Sequence, residues 1–398
     1  MNVLALNAGS SSLKFRLLRA GDNLSSQDSA PRAVGLVEKW GTPEAMLRLK
    51  LPGKPAQRQA IAAETPRHAA EHAIQACLPL GIDAIAHRVV HGGPHFTRPV
   101  RVTPEVITAI AAAEHFAPLH NGLALQGMRA AMDVAPQATS VAIFDTAFHR
   151  TIPDYASTYA IPIDLSRKHS IRRYGFHGIS HEYVSQQLIQ RLSRPARGTR
   201  LITCHLGNGC SLCAVRDGKS IDTTMGMTPM EGLVMGTRCG DVDPGLMLYL
   251  MTMHNVTVKE LDDMLNHRSG LAGLTGTGGD VRDIEKKAVA GDVAAMLALD
   301  IFAYRARKYI GAFAVALGGI DGISFAGGIG ENSAPIRRKI CDGLQFLGVI
   351  LDADRNESAD SHKAAALHAD QSKVEIWLIP ADEERQMATE VFALLGEK

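Results

Sequence analysis

No segment of this 398-residue chain concentrates charge of one sign. Its 42 Lys and Arg are scattered among 41 Asp and Glu, for a formal net charge of +1. Nucleic-acid binding and polybasic membrane contact both need a dense positive field, so neither is expected. Long apolar runs are missing too. The longest lies near Tyr309–Ile320, and Asp321 ends it well short of the ~18 residues a membrane helix needs. The opening MNVLALNAGSSS has no basic stretch and few apolar residues before Asn7, which does not fit a secretory signal. The expectation is a soluble protein of the cytoplasm. Cysteine is sparse, at six residues. Cys210 and Cys213 have C-x-x-C spacing, but their segment reads as strand, turn and strand, where positions three apart face opposite ways. No second C-x-x-C completes a tetrahedral zinc site. Buried, reduced thiols are expected.

What the chain does have is 46% hydrophobic residues, 37 glycines and enough length for two domains. Six short apolar runs begin at Val3, Ile82, Thr139, Leu201, Gly322 and Val374, and each ends abruptly in polar or glycine residues. Such runs suit strands buried on both faces. Helical periodicity fills Pro104–Glu114, Asn121–Asp133, Ser180–Leu192, Asp243–Met253 and Asp292–Leu317. Strands alternating with helices give an α/β fold, whose ligands gather at the carboxyl ends of the strands. Residues 22–58 read as peripheral hairpins. The segment from Leu6 to Leu13 resembles that from Leu206 to Leu212, each a strand, a small-residue turn and a second strand. A repeat this long indicates two related halves with a ligand cleft between them. The halves are drawn as residues 1–150 plus 384–398 and residues 151–383, with the crossing near Ile152–Pro162.

Several of these turns carry chemistry. After Asn7, Gly9 allows close backbone approach, and Ser10, Ser11 and Ser12 can cradle phosphate oxygens. Lys14 shares the face of Ser12, and a tight hairpin with a solvated lysine fits the pattern equally. It is no Walker A loop, because the G-x-x-x-x-G-K spacing is absent. His205–Gly209 and Gly327–Asn332 are further glycine-rich turns after apolar strands, and three such turns favour a nucleotide. Arg88, inside an apolar strand, and Arg238, in Met-Gly-Thr-Arg-Cys-Gly-Asp, each need an anionic partner. That partner is a ligand, or a carboxylate such as Asp241 or Asp145. Asp145 ends a buried strand. His177 and His120 can stabilise a transferring phosphoryl group, or serve simply as core or cap residues. His177-x-x-x-His181 has helical metal-pair spacing without a third ligand. Glu383 or Glu384 can hold Mg²⁺, or can simply favour the start of a helix.

Together NAGSSSLKF, HRVVHGG, APLHN, FDTAFH, RYGFHGISH, HLGNGCS, TPMEGLVMGTRCGD, GDVRDI, GGIGENS and the final Glu383-Glu384 resemble the acetate kinase family. That family lies within the acetate and sugar kinase, actin and heat-shock chaperone superfamily. The resemblance implies two duplicated actin-like ATPase (ribonuclease H-like) domains around a nucleotide cleft, in a homodimer. It implies reversible in-line phosphoryl transfer between ATP and acetate, giving acetyl phosphate and ADP, with Mg²⁺ or Mn²⁺ required. By position it assigns the metal to Asn7 and Glu383, and phosphate contacts to Ser10, Ser12 and Lys14. Arg88 and Arg238 would hold the carboxylate and the phosphoryl group. His177 would stabilise the transition state, His120 would support it, and Asp145 would be the essential acid. Val90, Leu119, Phe176 and Pro229 would form the methyl pocket. His205, Leu206, Gly207, Asn208, Gly209, Asp280, Val281, Arg282, Gly328, Ile329, Gly330, Glu331 and Asn332 would bind nucleotide.

Five positions depart from the family's pattern. Gly122 lacks the usual proline, Ala326-Gly327 replaces Thr-Ala, Asp382 stands for Asn, and Cys239 stands for Ser beside Arg238. The last suggests sensitivity to thiol reagents. Propionate kinase is the near alternative, with Val90 arguing for the smaller acid and weaker use of propionate. A regulatory ATPase of the actin or chaperone type is the distant one, though it would not need both arginines.

Overall fold

The computed structural model describes residues 1–9, 12–19, 30–114 and 121–396. Their contacts divide the chain into two compact units: Met1–Phe148 with Gly178–Ser180 and Asp382–Lys398, and His149–His177 with His181–Ala381.

In the first unit the strands are β1 (Asn2–Ala8), β2 (Ser12–Arg19), β3 (Ala33–Glu38), β4 (Met46–Lys50), β5 (Gln57–Ala60), β6 (Ala84–Val89), β7 (Val100–Arg101) and β8 (Thr139–Phe144). They form one sheet in the order β5-β4-β3-β2-β1-β6-β8-β7. β1 runs parallel to β6, and β6 parallel to β8, while the remaining pairs are antiparallel. Residue alternation along β1 supplies both faces. Leu4 and Leu6 pack with Phe15, Leu17, Ala70, Ala73 and Ile74, beneath the helix Pro66–Cys77. Val3 and Ala5 pack with Met387, Ala388 and Val391 of the helix Glu383–Gly396. Strands β3 to β5, expected as peripheral hairpins, are hydrogen-bonded into this sheet as its outer edge. The Phe15 ring explains a glycine in β3, because a Cβ on Gly35 would sit 1.9 Å from its Cζ.

In the second unit the strands are β9 (Arg200–Leu206), β10 (Cys210–Arg216), β11 (Lys219–Thr223), β12 (Gly322–Ala326), β13 (Ala365–Ala366) and β14 (Glu375–Leu378). Their order is β11-β10-β9-β12-β14-β13, with β9, β12 and β14 parallel. β3-β2-β1-β6-β8 and β11-β10-β9-β12-β14 are thus the same arrangement: an antiparallel meander feeding a parallel trio. The six apolar runs of the sequence supply the six members of the two trios. The two similar turns, after Asn7 and after Leu206, occupy equivalent places between the first and second strand of each unit. At the carboxyl end of β12 the segment Gly327–Asn332, expected as a turn, is a short helix. Gly327 starts it at φ 76°, where a Cβ would lie 2.7 Å from the Leu206 carbonyl oxygen.

Among the described residues no helix is long and apolar enough to cross a membrane. All six thiols are free, and all but Cys239 are buried.

Candidate active site

In the first unit the polar ends of the parallel trio converge on Arg88. This arginine stands near the end of β6, its side chain 17% exposed. Nε donates to both oxygens of Asp145 at 3.1 Å, and Nη2 donates to Oδ2 at 2.6 Å. Nη1 donates to Asn7 Oδ1 at 2.9 Å. Asn7 Nδ2 in turn donates to Glu383 Oε2 at 2.7 Å and to Glu384 Oε1 at 3.0 Å. Arg88, Asp145, Asn7 and Glu383 are therefore one hydrogen-bonded cluster, drawn from the ends of β1, β6 and β8 and from the start of a helix. Burial works against the Arg88 charge, but the carboxylates of Asp145 and Glu383 more than offset it and raise its pKa. Burial raises the pKa of Asp145, Arg88 pulls it back, and Glu383 adds to the rise. Glu384 is likewise raised, chiefly by burial.

The departure at Asp382 has a local partner. Arg16 Nη1 donates to its Oδ2 at 2.7 Å, and Arg385 Nε reaches the same oxygen at 3.1 Å. On the hairpin, Lys14 is exposed and lies directly across the sheet from Asn7. The turn closes through Gly9 N–H donating to the Ser12 carbonyl at 2.7 Å. Ser10, Leu119 and His120 lie outside the described residues. Val90, just beyond β6, is half-buried. Asn121 is fully buried and clasps the loop after it, donating from Nδ2 to the His91 carbonyl (2.9 Å) and accepting from His91 N–H (3.1 Å). A Cβ at Gly122 would come within 2.8 Å of Glu114 Oε1, the end of a flexible side chain that can move aside, so nothing in the structure explains the missing proline.

In the second unit the convergence point is Gly209. A Cβ at this residue would lie 3.4 Å from the His177 ring and 3.5 Å from Arg238 Nη1, so the bare backbone has the imidazole and the guanidinium beside it. His177 adopts a left-handed conformation, φ 57° and ψ 24°, immediately before the helix Gly178–Arg191. Its ring stacks on His205, with centroids 4.4 Å apart. Arg238 differs sharply from Arg88. Its Nη1 donates to the Pro229 carbonyl at 3.1 Å, and among the described residues no carboxylate lies within 4.0 Å of it. Asp241, one of its sequence-level candidates, is taken by Arg305 at 3.3 Å and by the Tyr309 hydroxyl at 2.6 Å. Burial lowers the pKa of Arg238. A desolvated cation that, among the described residues, has only a carbonyl and the Met235 sulfur for company is a site prepared for an anion.

The proposed nucleotide segments also meet. Gly236 lies against Asn208, whose Oδ1 would be 2.0 Å from a Cβ there, and its carbonyl oxygen would be 2.3 Å from a Cβ on Gly279. Asp280 caps the helix Val281–Val289 and pairs with Arg282 at 2.6 Å. Gly328 is exposed and open. Glu331 turns inward instead, its Oε1 accepting from the N–H groups of Gly327 (2.8 Å) and Ala381 (2.9 Å). That geometry makes Glu331 a brace for the loop. Phe176 is buried, and Pro229 is half-buried.

Sequence reasoning missed the support behind these groups. Arg173 pairs with Glu231 at 2.6 Å and donates to the carbonyls of Thr223 and Thr224, while the Tyr159 hydroxyl bonds Glu231. This network holds the loop that delivers Pro229 and Arg238. Only Arg173 and Glu231 carry an isolated signal, as charges within the quoted motifs RYGFHGISH and TPMEGLVMGTRCGD. Cys239 corrects an expectation. Its thiol is half-buried, donates to the Gly240 carbonyl at 3.1 Å, and has a pKa raised by burial. A thiol in this state is a poor nucleophile. In the folded protein it should react more slowly than free cysteine at neutral pH. A Cys239→Ser variant compared by thiol titration checks this.

The sequence pattern of the acetokinase family matches residues 2–389. The chain belongs to the acetokinase family. An acetate kinase of Bacteroides fragilis is 42% identical over 410 residues, covering all of both proteins. One of Caldicellulosiruptor saccharolyticus is 43% identical over 408 residues, covering 99% of this chain and 100% of that one. Among solved structures, Porphyromonas gingivalis acetate kinase superposes with a TM-score of 0.90 at 38% identity over 99% of each chain. A Francisella tularensis propionate kinase gives 0.89 at 38% identity over 98% of each. This acetokinase-family chain is therefore an ATP-using kinase, and its two like units are the actin-like ATPase fold in duplicate.

Proposed function

We infer that the protein catalyses reversible, direct phosphoryl transfer between ATP and acetate, yielding ADP and acetyl phosphate. The observation that carries this reading is Arg238: a desolvated guanidinium without a carboxylate partner among the described residues, set beside the His177 imidazole. Phosphoryl transfer asks a protein for positioning and for stabilisation of charge on the equatorial oxygens. A carboxylate is already a competent nucleophile, so no strong base is required. Arg88, locked by Asp145 and Asn7, is a fixed fork suited to holding an anion in register.

Mg²⁺ would be held at Asn7 and Glu383. The Glu383 carboxylate is a hard-oxygen donor, and Asn7 lies beside it, here turning Nδ2 toward the carboxylate while its Oδ1 accepts from Arg88 Nη1, so the amide would have to turn over to offer its oxygen. Mg²⁺ takes few protein ligands while keeping its waters. Such an ion would supply neutralising charge to the nucleotide phosphates. Val90, Phe176 and Pro229 are apolar and suit a methyl group. The reading includes a cytoplasmic location, where ATP is available, and a homodimer. Self-association is supported by the helix Pro244–His254, which has no buried residue and leaves Leu248 and Met253 each 66% exposed.

Hydroxylamine trapping of the acyl phosphate with acetate and propionate tests the substrate. One methylene is worth about 1–3 kcal/mol, so kcat/KM should favour acetate by about tenfold or more. A preference for propionate would overturn the acetate assignment.

A further inference from the structure

Behind the His177 imidazole lies a chain of three buried groups. His177 Nδ1 is 2.8 Å from Ser211 Oγ, which is 2.7 Å from His181 Nε2. His181 Nδ1 is 2.7 Å from Thr203 Oγ1. Ser211 and Thr203 are strand residues of β10 and β9, and paired sidedness brings them both against the helix Gly178–Arg191. Ser211 is fully buried, and Thr203 and His181 are 1% exposed.

The hydrogens in this chain can be assigned by elimination. Among the described residues Thr203 Oγ1 has a single partner, the His181 ring, so a buried hydroxyl proton is satisfied only if it is donated to Nδ1. His181 is held neutral, because burial, together with His149 and His205, pushes its pKa well below that of an ordinary histidine. A neutral ring that accepts at Nδ1 carries its proton on Nε2, and Ser211 Oγ must then accept it. Ser211 is left one proton and one remaining partner, His177 Nδ1. His177, in its neutral form, therefore accepts at Nδ1 and carries its own proton on Nε2.

We propose that Thr203, His181 and Ser211 form a one-directional relay that fixes His177 as an Nε2–H donor. Thr203, His181 and Ser211 are positioning residues, acting on the reaction through His177. Each donor in the line polarises the next, which strengthens the last one. The proposal rests on the reading of His177 as a group that stabilises the phosphoryl group in flight, since a proton on Nδ1 would face Ser211 and not those oxygens.

The test pairs spectroscopy of the resting enzyme with kinetics. In ¹⁵N-histidine-labelled protein, His177 assigned by its Gln variant should show a pyrrole-type Nε2 and a pyridine-type Nδ1. Thr203→Val, isosteric and remote from the reacting atoms, should convert part of the population to the other tautomer and lower kcat several-fold. KM for ATP and acetate should stay within about twofold, as for a group whose effect is confined to the transition state. Ser211→Ala should cost more, about 10–100-fold in kcat, the scale on which losing a partner that orients a functional histidine acts. Thr203→Ser, which keeps the hydroxyl, should restore both spectrum and rate. A wild-type His177 protonated on Nδ1, or a Thr203→Val protein unchanged in both readouts, would sink the relay. Failure of the His177 role itself is distinguishable, because a His177→Gln variant would then retain turnover while the wild-type tautomer remained as assigned.

Discussion

Replacing Arg238 with alanine is expected to lower kcat by at least about a thousandfold, the scale on which an arginine acts on a transferring phosphoryl group. Thermal stability should be unchanged or slightly higher. The reason is the company Arg238 keeps. With a carbonyl rather than a carboxylate as its partner, and with burial already lowering its pKa, its removal orphans no buried anion. The residue imposes a desolvation cost that only a bound anion offsets. Acyl-hydroxamate assays beside a thermal melt measure the two effects separately. If the folded variant kept activity within about tenfold of wild type, Arg238 would have no part in stabilising the phosphoryl group.

Arg88→Ala should behave differently, because it breaks a pair. Asp145 is 1% exposed and receives three hydrogen bonds from this one guanidinium. Removing one partner of a buried pair costs about 3–5 kcal/mol, since the other charge is left uncompensated. Activity should fall as well, because the cation proposed to hold the substrate is gone. The double variant Arg88→Ala/Asp145→Asn separates the effects. Neutralising the orphaned carboxylate should recover a large part of the lost stability and none of the activity. A double-mutant cycle on unfolding free energies would show this as a strong coupling between two touching residues. Recovery of turnover in the double variant would show that Arg88 serves the fold alone.

The contrast between these two arginines shows how far the sequence could be read. Both stood out as isolated cations in apolar or small-residue surroundings, and the parallel trios were legible from their uninterrupted Val, Ile, Leu and Ala. The identity of each arginine's partner was not legible. Asp241, three residues from Arg238, was the natural choice by proximity, yet Arg305 and Tyr309 of a distant helix reach it instead. Strand periodicity says that Thr203 and Ser211 each face one side of a sheet. It does not say that a histidine ring fits between them. Gly327–Asn332 read as a turn because its glycines disfavour helix. The structure forms one short helix there by turning the Glu331 carboxylate back onto the first N–H, a capping solution that no local pattern announces.

The helix Glu383–Gly396 has a further consequence, for the order in which this chain acquires its shape. Val3, Ala5, Ala84 and Ala86 find their apolar cover in Met387, Ala388 and Val391, which the ribosome makes only after residues 149–381. Domains commonly fold in the order of their synthesis. Here the earlier-made unit must wait with one face of its sheet uncovered, while the later-made unit has all its strands in hand.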